Sequence, residues 1–237
     1  MILYLIRHGL PDYETDTLKE EGWAQARAVA RRLKASGLDA IYASPMQRAC
    51  QTAQPTADIL GLPIQVEPWA RELESESDTT FPDGIPHSIS ELPHEYFHRE
   101  PFVSMTTRKA LKEATGLIEL GFPKRAEELA AGIDSLLARH GYVRQPDGLY
   151  LAAAPSEKHI ALFCHAGMTR VLLSHLMHWP IQLTMTCALT HYTGVTAFMF
   201  HKEQGPETTP VLLSFGDVGH LYEGGTPLRT AWHHEPW

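Results

Sequence analysis

The chain has 237 residues, 43% of them hydrophobic, enough to bury one α/β core carrying an insertion without requiring two independent domains. Its formal net charge of -8 leaves no basic face of the kind that a nucleic acid or an anionic membrane surface needs, so neither is expected as a partner. Cys50, Cys164 and Cys187 are dispersed and odd in number, the apolar stretch from Met1 to Ile6 is too short for a signal peptide, and no run approaches membrane-spanning length, so a cytoplasmic location is expected.

Tyr4-Leu-Ile-Arg-His-Gly9 is a short apolar run that stops abruptly at Arg7, His8 and Gly9. Such a run reads as a buried strand, and α/β sheets place their chemistry at the carboxyl ends of strands. Leu10 to Thr17 reads as a loop with Pro11 and several acids, after which Trp23, Ala26, Ala30 and Leu33 recur at helical spacing until Gly37. Ala40 to Ala43 reads as a second strand. Ser44-Pro45 reads as the cap and first turn of a helix running to Gly61, and Pro63 to Val66 as a third strand. This alternation is the pattern of a parallel sheet.

From Glu72 to about Pro123 the periodicity weakens, with prolines at 82, 86, 93 and 101. Residues 73–123 are expected to form a substrate cap inserted in a single domain of residues 1–237. Helical spacing resumes from Lys124 to Arg139, and a polar turn follows at Gln145-Pro-Asp-Gly148. Lys158 to Gly167 then repeats the opening logic, an apolar strand ending in His165 and a glycine turn, with a helix from Thr169 to His178. Gly194 to Phe200 and Val211 to Phe215 are the last expected core strands. The expected fold is a three-layer α/β sandwich with a mostly parallel central sheet, helices on both faces and an inserted cap.

Arg7-His8-Gly9, Ser44-Pro45-x-x-Arg48-Ala49-x-Gln51-Thr52-Ala53, Glu72 and His165-Ala166-Gly167 occur in this order, and Leu18-Lys-Glu-Glu-Gly22-x-x-Gln25-Ala26 falls between the first two. Together they resemble the histidine phosphatase superfamily, the phosphoglycerate mutase-like family, over roughly residues 1 to 75 and 124 to 215. The resemblance implies a phosphohistidine intermediate at His8, phosphate binding by Arg7, Arg48 and His165, catalytic roles for His8, Glu72 and His165, and no metal or cofactor. These residue types suit that chemistry. A phosphoryl group spreads charge over three oxygens, which planar guanidinium forks bind bidentately. The same cations favour a neutral, nucleophilic imidazole, while a carboxylic acid at Glu72 could protonate the leaving oxygen and later deprotonate water. Glu74 would take that role if the register is shifted by two. Leu10 and Glu14 stand where many family members carry an acid or Gln and an Asn that touches phosphate. The loop after Gly9 must therefore differ or use backbone N–H groups.

The expected activity is metal-independent hydrolysis of a small phosphorylated metabolite. Three other readings compete. A phosphomutase would also need contacts to a second phosphate. His94-Glu95-Tyr-Phe-His98 matches the H-E-x-x-H zinc motif, although Pro93 and Pro101 leave barely two helical turns and no obvious third-ligand spacing follows. A catalytically silent phosphoprotein-binding domain would be favoured by loss of His8 or Arg48, and both are present. His87, Arg99, Arg108, Lys109 and Lys112 in the cap are candidates for contacting the remainder of the substrate.

Overall fold

β1 (Ile2–Arg7) is apolar along nearly its whole length because it is covered on both faces, the usual state of a strand in the middle of a mostly parallel sheet. The computed structural model describes residues 1–73, 122–201 and 206–223. After β1 the chain forms a small hairpin, β2 (Pro11–Asp12) and β3 (Thr17–Leu18), where the sequence suggested only a loop. Helix α1 (Glu20–Ala35), β4 (Ala40–Ala43), α2 (Gln47–Leu60) and β5 (Ile64–Val66) follow. A single 3₁₀ turn, Pro68–Ala70, leads away from β5.

The described chain resumes with α3 (Phe122–Arg139), then the short strands β6 (Tyr142–Arg144) and β7 (Tyr150–Ala152) on either side of the expected polar turn. Next come β8 (His159–Cys164), α4 (Ala166–Met177), α5 (Ile181–Cys187), β9 (Val195–Phe200), β10 (Glu207–Thr208), β11 (Pro210–Asp217) and α6 (Gly219–Glu223).

Six strands form the main sheet in the order β11-β9-β1-β8-β4-β5. β1, β8, β4 and β5 run parallel, with Arg7 opposite Cys164 and Ala43 opposite Phe163, while β9 and β11 add antiparallel at one side. Leu3, Leu5, Ile160 and Leu162 pack with Leu129 and Ile133 of α3 and Leu172 of α4. Ile6, Ile41 and Phe163 pack with Val29 and Leu33 of α1 and Ala53 of α2 on the other face. This is the expected sandwich, with helices on both faces of a mixed, mostly parallel sheet. β10, β7 and β6 make a smaller antiparallel sheet.

Three helix starts differ from the sequence reading. Helix α3 begins at Phe122 rather than Lys124, so residues 122 and 123, placed in the cap by the sequence, belong to this helix, with Pro123 in the first turn where proline is tolerated. Helix α2 begins at Gln47 rather than at Pro45, with Met46 as its flanking residue, because Ser44 and Pro45 are spent turning the chain out of β4. Helix α4 begins at Ala166, three residues before Thr169, since His165 itself is the cap and the Thr169 N–H already donates to its carbonyl. Glu74, the H-E-x-x-H pair His94 and His98, nearly all of the expected cap, and His87, Arg99, Arg108, Lys109 and Lys112 expected within it lie outside the described residues. Among the described residues, no helix is long and apolar enough to cross a membrane.

Candidate active site

The ends of three neighbouring parallel strands bring His8, His165 and Ser44 together. The His8 N–H continues the β1 ladder onto the Cys164 carbonyl at 2.9 Å, and the Ser44 N–H continues β4 onto the Phe163 carbonyl at 2.9 Å. The His8 and His165 rings consequently lie 5.3 Å apart between centroids. His8 is 2% exposed, and its Nδ1 lies 2.8 Å from the Gly9 carbonyl oxygen. A carbonyl only accepts, so Nδ1 carries the hydrogen and the lone pair of the neutral ring is left on Nε2. Burial first, then the Arg7 and Arg48 charges, hold the His8 pKa well below its ordinary value of 6.5. The result is an uncharged imidazole with an available nitrogen, the form a nucleophile requires.

His165 is fully buried, and its pKa also lies well below the ordinary value, again through burial first and then the neighbouring His8, Arg48 and Arg7. Its Nε2 lies 2.7 Å from the Ser44 hydroxyl, which in turn accepts the Met46 N–H at 3.2 Å. When that hydroxyl donates to Nε2, the hydrogen of the neutral ring sits on Nδ1. Arg7 donates from Nη1 to the Thr190 carbonyl at 2.6 Å and stacks 4.0 Å from the centroid of the Tyr192 ring. Arg48 is paired through Nη1 with Asp16 and lies 3.4 Å through Nη2 from the Met46 sulfur. Among the described residues, Arg7 Nε, Arg48 Nε and His165 Nδ1 are buried and have no hydrogen-bond partner within the chain. Buried donors of this kind are rarely left unsatisfied without a functional reason.

The motif residues between these groups hold the loop that carries His8. The Gly9 N–H donates to Thr52 Oγ1 at 2.9 Å, and the same hydroxyl donates to the Arg48 carbonyl at 2.7 Å. The Leu10 N–H donates to Gln25 Oε1 at 2.8 Å, and the Leu18 N–H to Gln51 Oε1 at 2.7 Å. Gly22 lets α1 approach this loop closely, since a Cβ there would lie 2.2 Å from the Leu10 carbonyl oxygen. Thr52 and Gln51 on α2, with Gly22 and Gln25 on α1, thus lock the backbone on either side of the hairpin.

Glu72 is brought to the same end of the sheet. Its Oε1 accepts the Met168 N–H at 2.8 Å and the Leu73 N–H at 2.9 Å, and its Oε2 accepts the Gly167 N–H at 3.1 Å. The carboxyl group therefore lies on the first turn of α4, directly after His165.

Sequence reasoning missed Asp16. It singled out Glu14, standing where many family members carry an Asn that touches phosphate, yet Glu14 is exposed on the hairpin turn, while Asp16 reaches Arg48 and also accepts the Gln47 N–H at 2.7 Å. Asp16 has φ 55°, a left-handed conformation that aspartate tolerates better than most side chains. The only signal was an acid in an irregular loop. Tyr192 and Thr190, which hold Arg7, carried no recognisable spacing at all.

Comparison with known proteins gives a family and a fold. The model of the histidine phosphatase superfamily (branch 1) matches residues 3–114. A probable phosphoglycerate mutase, GpmB, of Yersinia enterocolitica is 31% identical over 154 residues, 59% of this chain and 69% of the relative. In fold, the chain is similar to the phosphoserine phosphatase of Entamoeba histolytica, solved with 3-phosphoglyceric acid, at TM-score 0.62 and 22% identity over 93% of this chain and 98% of that one. A mycobacterial glucosyl-3-phosphoglycerate phosphatase superposes at TM-score 0.58 and 20% identity over 91% and 98% of the two chains.

Proposed function

The chain belongs to the histidine phosphatase superfamily, branch 1, a family of phosphoryl-transfer enzymes, and from that premise we propose that it hydrolyses a small phosphomonoester through a phosphohistidine at His8, without a metal ion. The observation that carries this reading is the set of three buried, unpartnered N–H donors, from Arg7, Arg48 and His165, around a neutral imidazole. That set matches the three non-bridging oxygens of a phosphoryl group and supplies the electrostatic stabilisation that a metal ion gives elsewhere.

In the first step the His8 Nε2 lone pair attacks phosphorus. The bond from phosphorus to the ester oxygen breaks as Glu72 delivers a proton to the departing alcohol. In the second step water attacks the phosphohistidine, its proton passes to Glu72, the phosphorus–nitrogen bond breaks, and inorganic phosphate leaves with His8 neutral again. Arg7 and Arg48 bind the oxygens throughout, and His165 donates from Nδ1.

Rapid quench with a phosphate-labelled substrate tests the reading. Acid-labile, base-stable label is expected on His8, and His8→Ala should lose both the label and nearly all turnover. Turnover with label elsewhere, or with none, overturns the mechanism. Phosphoserine, 3-phosphoglycerate and glucosyl-3-phosphoglycerate begin the substrate panel because the structural neighbours carry those names.

The relative named as a probable mutase supports a second reading, transfer of the phosphoryl group back to a phosphoglycerate. Asp16 favours hydrolysis over it. A carboxylate paired with Arg48 adds negative charge beside the site, which works against the extra negative charge of the second phosphate a mutase must hold nearby. Isomerisation of a phosphoglycerate that outpaces phosphate release would reverse this ranking.

A further inference from the structure

Glu72 belongs to no helix or strand, and its position depends on the short strap between β5 and Leu73. We infer that Arg125 of α3 is the positioning residue for Glu72, fixing the strap so that the carboxyl reaches the leaving oxygen; this rests on the reading of Glu72 as the proton donor. Arg125 Nη2 donates to the carbonyls of both Trp69 and Arg71, at 2.9 and 2.7 Å. The two acceptors flank Ala70, which is fully buried, and the second belongs to the residue preceding Glu72. Arg125 is itself rigidly mounted. It stands in the first turn of α3 between Phe122 and Leu129, both fully buried in the core, and its Nη1 donates to Glu128 at 2.9 Å.

Two further contacts run along the same helix. A Cβ at Gly132 would lie 2.1 Å from the Trp69 ring, so the indole packs directly on the α3 backbone. The Trp69 Nε1–H donates to Glu67 at 2.6 Å, and Glu67 is ion-paired with Arg139. The strap is thus attached to α3 at three successive levels, and the level nearest Glu72 is Arg125. From the opposite side the Glu72 carboxyl is held by the N–H groups of α4. The acid spans two helices, and a shift of either moves it relative to His8.

A role in positioning the acid differs measurably from a general structural role. Proton donation matters for an alkyl phosphate, whose alkoxide leaves poorly, and little for p-nitrophenyl phosphate, whose phenolate leaves unaided. Single-turnover rates of His8 phosphorylation should be measured with both substrates for the wild type, Glu72→Gln, Arg125→Ala, Gly132→Ala and the Arg125→Ala/Glu72→Gln double variant. Misplacement on the ångström scale should slow the alkyl ester about 10- to 100-fold more than the aryl ester in Arg125→Ala and in Gly132→Ala. In the Glu72→Gln background, Arg125→Ala should add almost nothing to that selective loss, because the two residues act on one step.

Gly132→Ala keeps every charge and disturbs the strap from its middle, so it carries the test if Arg125→Ala does not fold. Equal losses for the two substrates in these variants, with Glu72→Gln selective, overturn the positioning role and leave the acid assignment standing. Absence of selectivity in Glu72→Gln itself overturns both.

Discussion

His8 is poised by two separate effects, and each can be tested. Its Nδ1–H is committed to the Gly9 carbonyl, while burial and two arginines disfavour protonation. In an NMR titration the His8 ring should therefore stay neutral well below pH 6.5, where an exposed histidine is half protonated. A midpoint at or above that value contradicts the electrostatics of the site. Ser44 does for His165 what Gly9 does for His8. Ser44→Ala would strip the hydroxyl from both His165 Nε2 and the Met46 N–H, a loss of about 1–3 kcal/mol in stability by denaturant unfolding. Phosphatase activity should fall with it, since nothing then selects the tautomer that bears a hydrogen on Nδ1. An unchanged stability and rate would show that the hydroxyl is dispensable. At this scale Arg7, His8, Arg48 and His165 were legible because short motifs in a fixed order mark them, and the structure gathers all four at one sheet edge. Asp16 was illegible because its partner lies 32 residues away and nothing local distinguishes it from the acids beside it.

The elements explain why the motifs contain residues that do no chemistry. Gly22, Gln25, Gln51 and Thr52 have no place in phosphoryl transfer, yet each holds the backbone of the segment after His8. Gly22→Ala should accordingly damage activity as well as stability. Its Cβ would meet the Leu10 carbonyl, and separating two packed backbones costs about 1–3 kcal/mol. Gly37→Ala is the matched control. Gly37 has φ +64° with open space around it, so the cost is about 1–2 kcal/mol of backbone strain and kcat/KM should be unchanged. Comparable rates for the two variants would remove α1 from any part in shaping the site. Strand and helix identities were readable from periodicity, whereas boundaries were not. Ser44 looked like a helix cap because serine before proline favours one; its hydroxyl does accept the Met46 N–H, but it also reaches His165, a tertiary contact 121 residues away, and the helix starts only at Gln47. The β6 and β7 strands were too short to raise a period of their own.

At the scale of the whole molecule, histidines buried in the neutral state make stability depend on pH. His8, His140, His165 and His220 all have lowered pKa values, with burial the largest cause for each. Below pH 6.5 the unfolded chain takes up protons that the folded chain refuses, so stability falls as the pH drops and continues to fall until the folded pKa is reached. For His220, at about 4, that window spans about 3 kcal/mol. Unfolding midpoints of the wild type should fall more steeply from pH 6.5 to 4 than those of His220→Gln, and parallel slopes would contradict the assignment. Exhaustive chelation should leave turnover intact if, as proposed, two arginines and His165 supply the stabilisation; inactivation reversed by zinc would support the His94 and His98 motif instead. The strand order has a consequence for how the chain reaches this state. β8 lies between β1 and β4, so of the main-sheet strands in the first 66 residues, which contain Arg7, His8 and Arg48, only β4 and β5 can pair with each other, and β1 cannot join them. During synthesis β1 and β4 must wait with open hydrogen-bonding edges until residue 159 arrives, which makes folding slow and leaves the nascent amino-terminal half prone to mispairing. Catalytic competence is therefore acquired late and all at once, when a single strand wedges between two others and sets the distance between them.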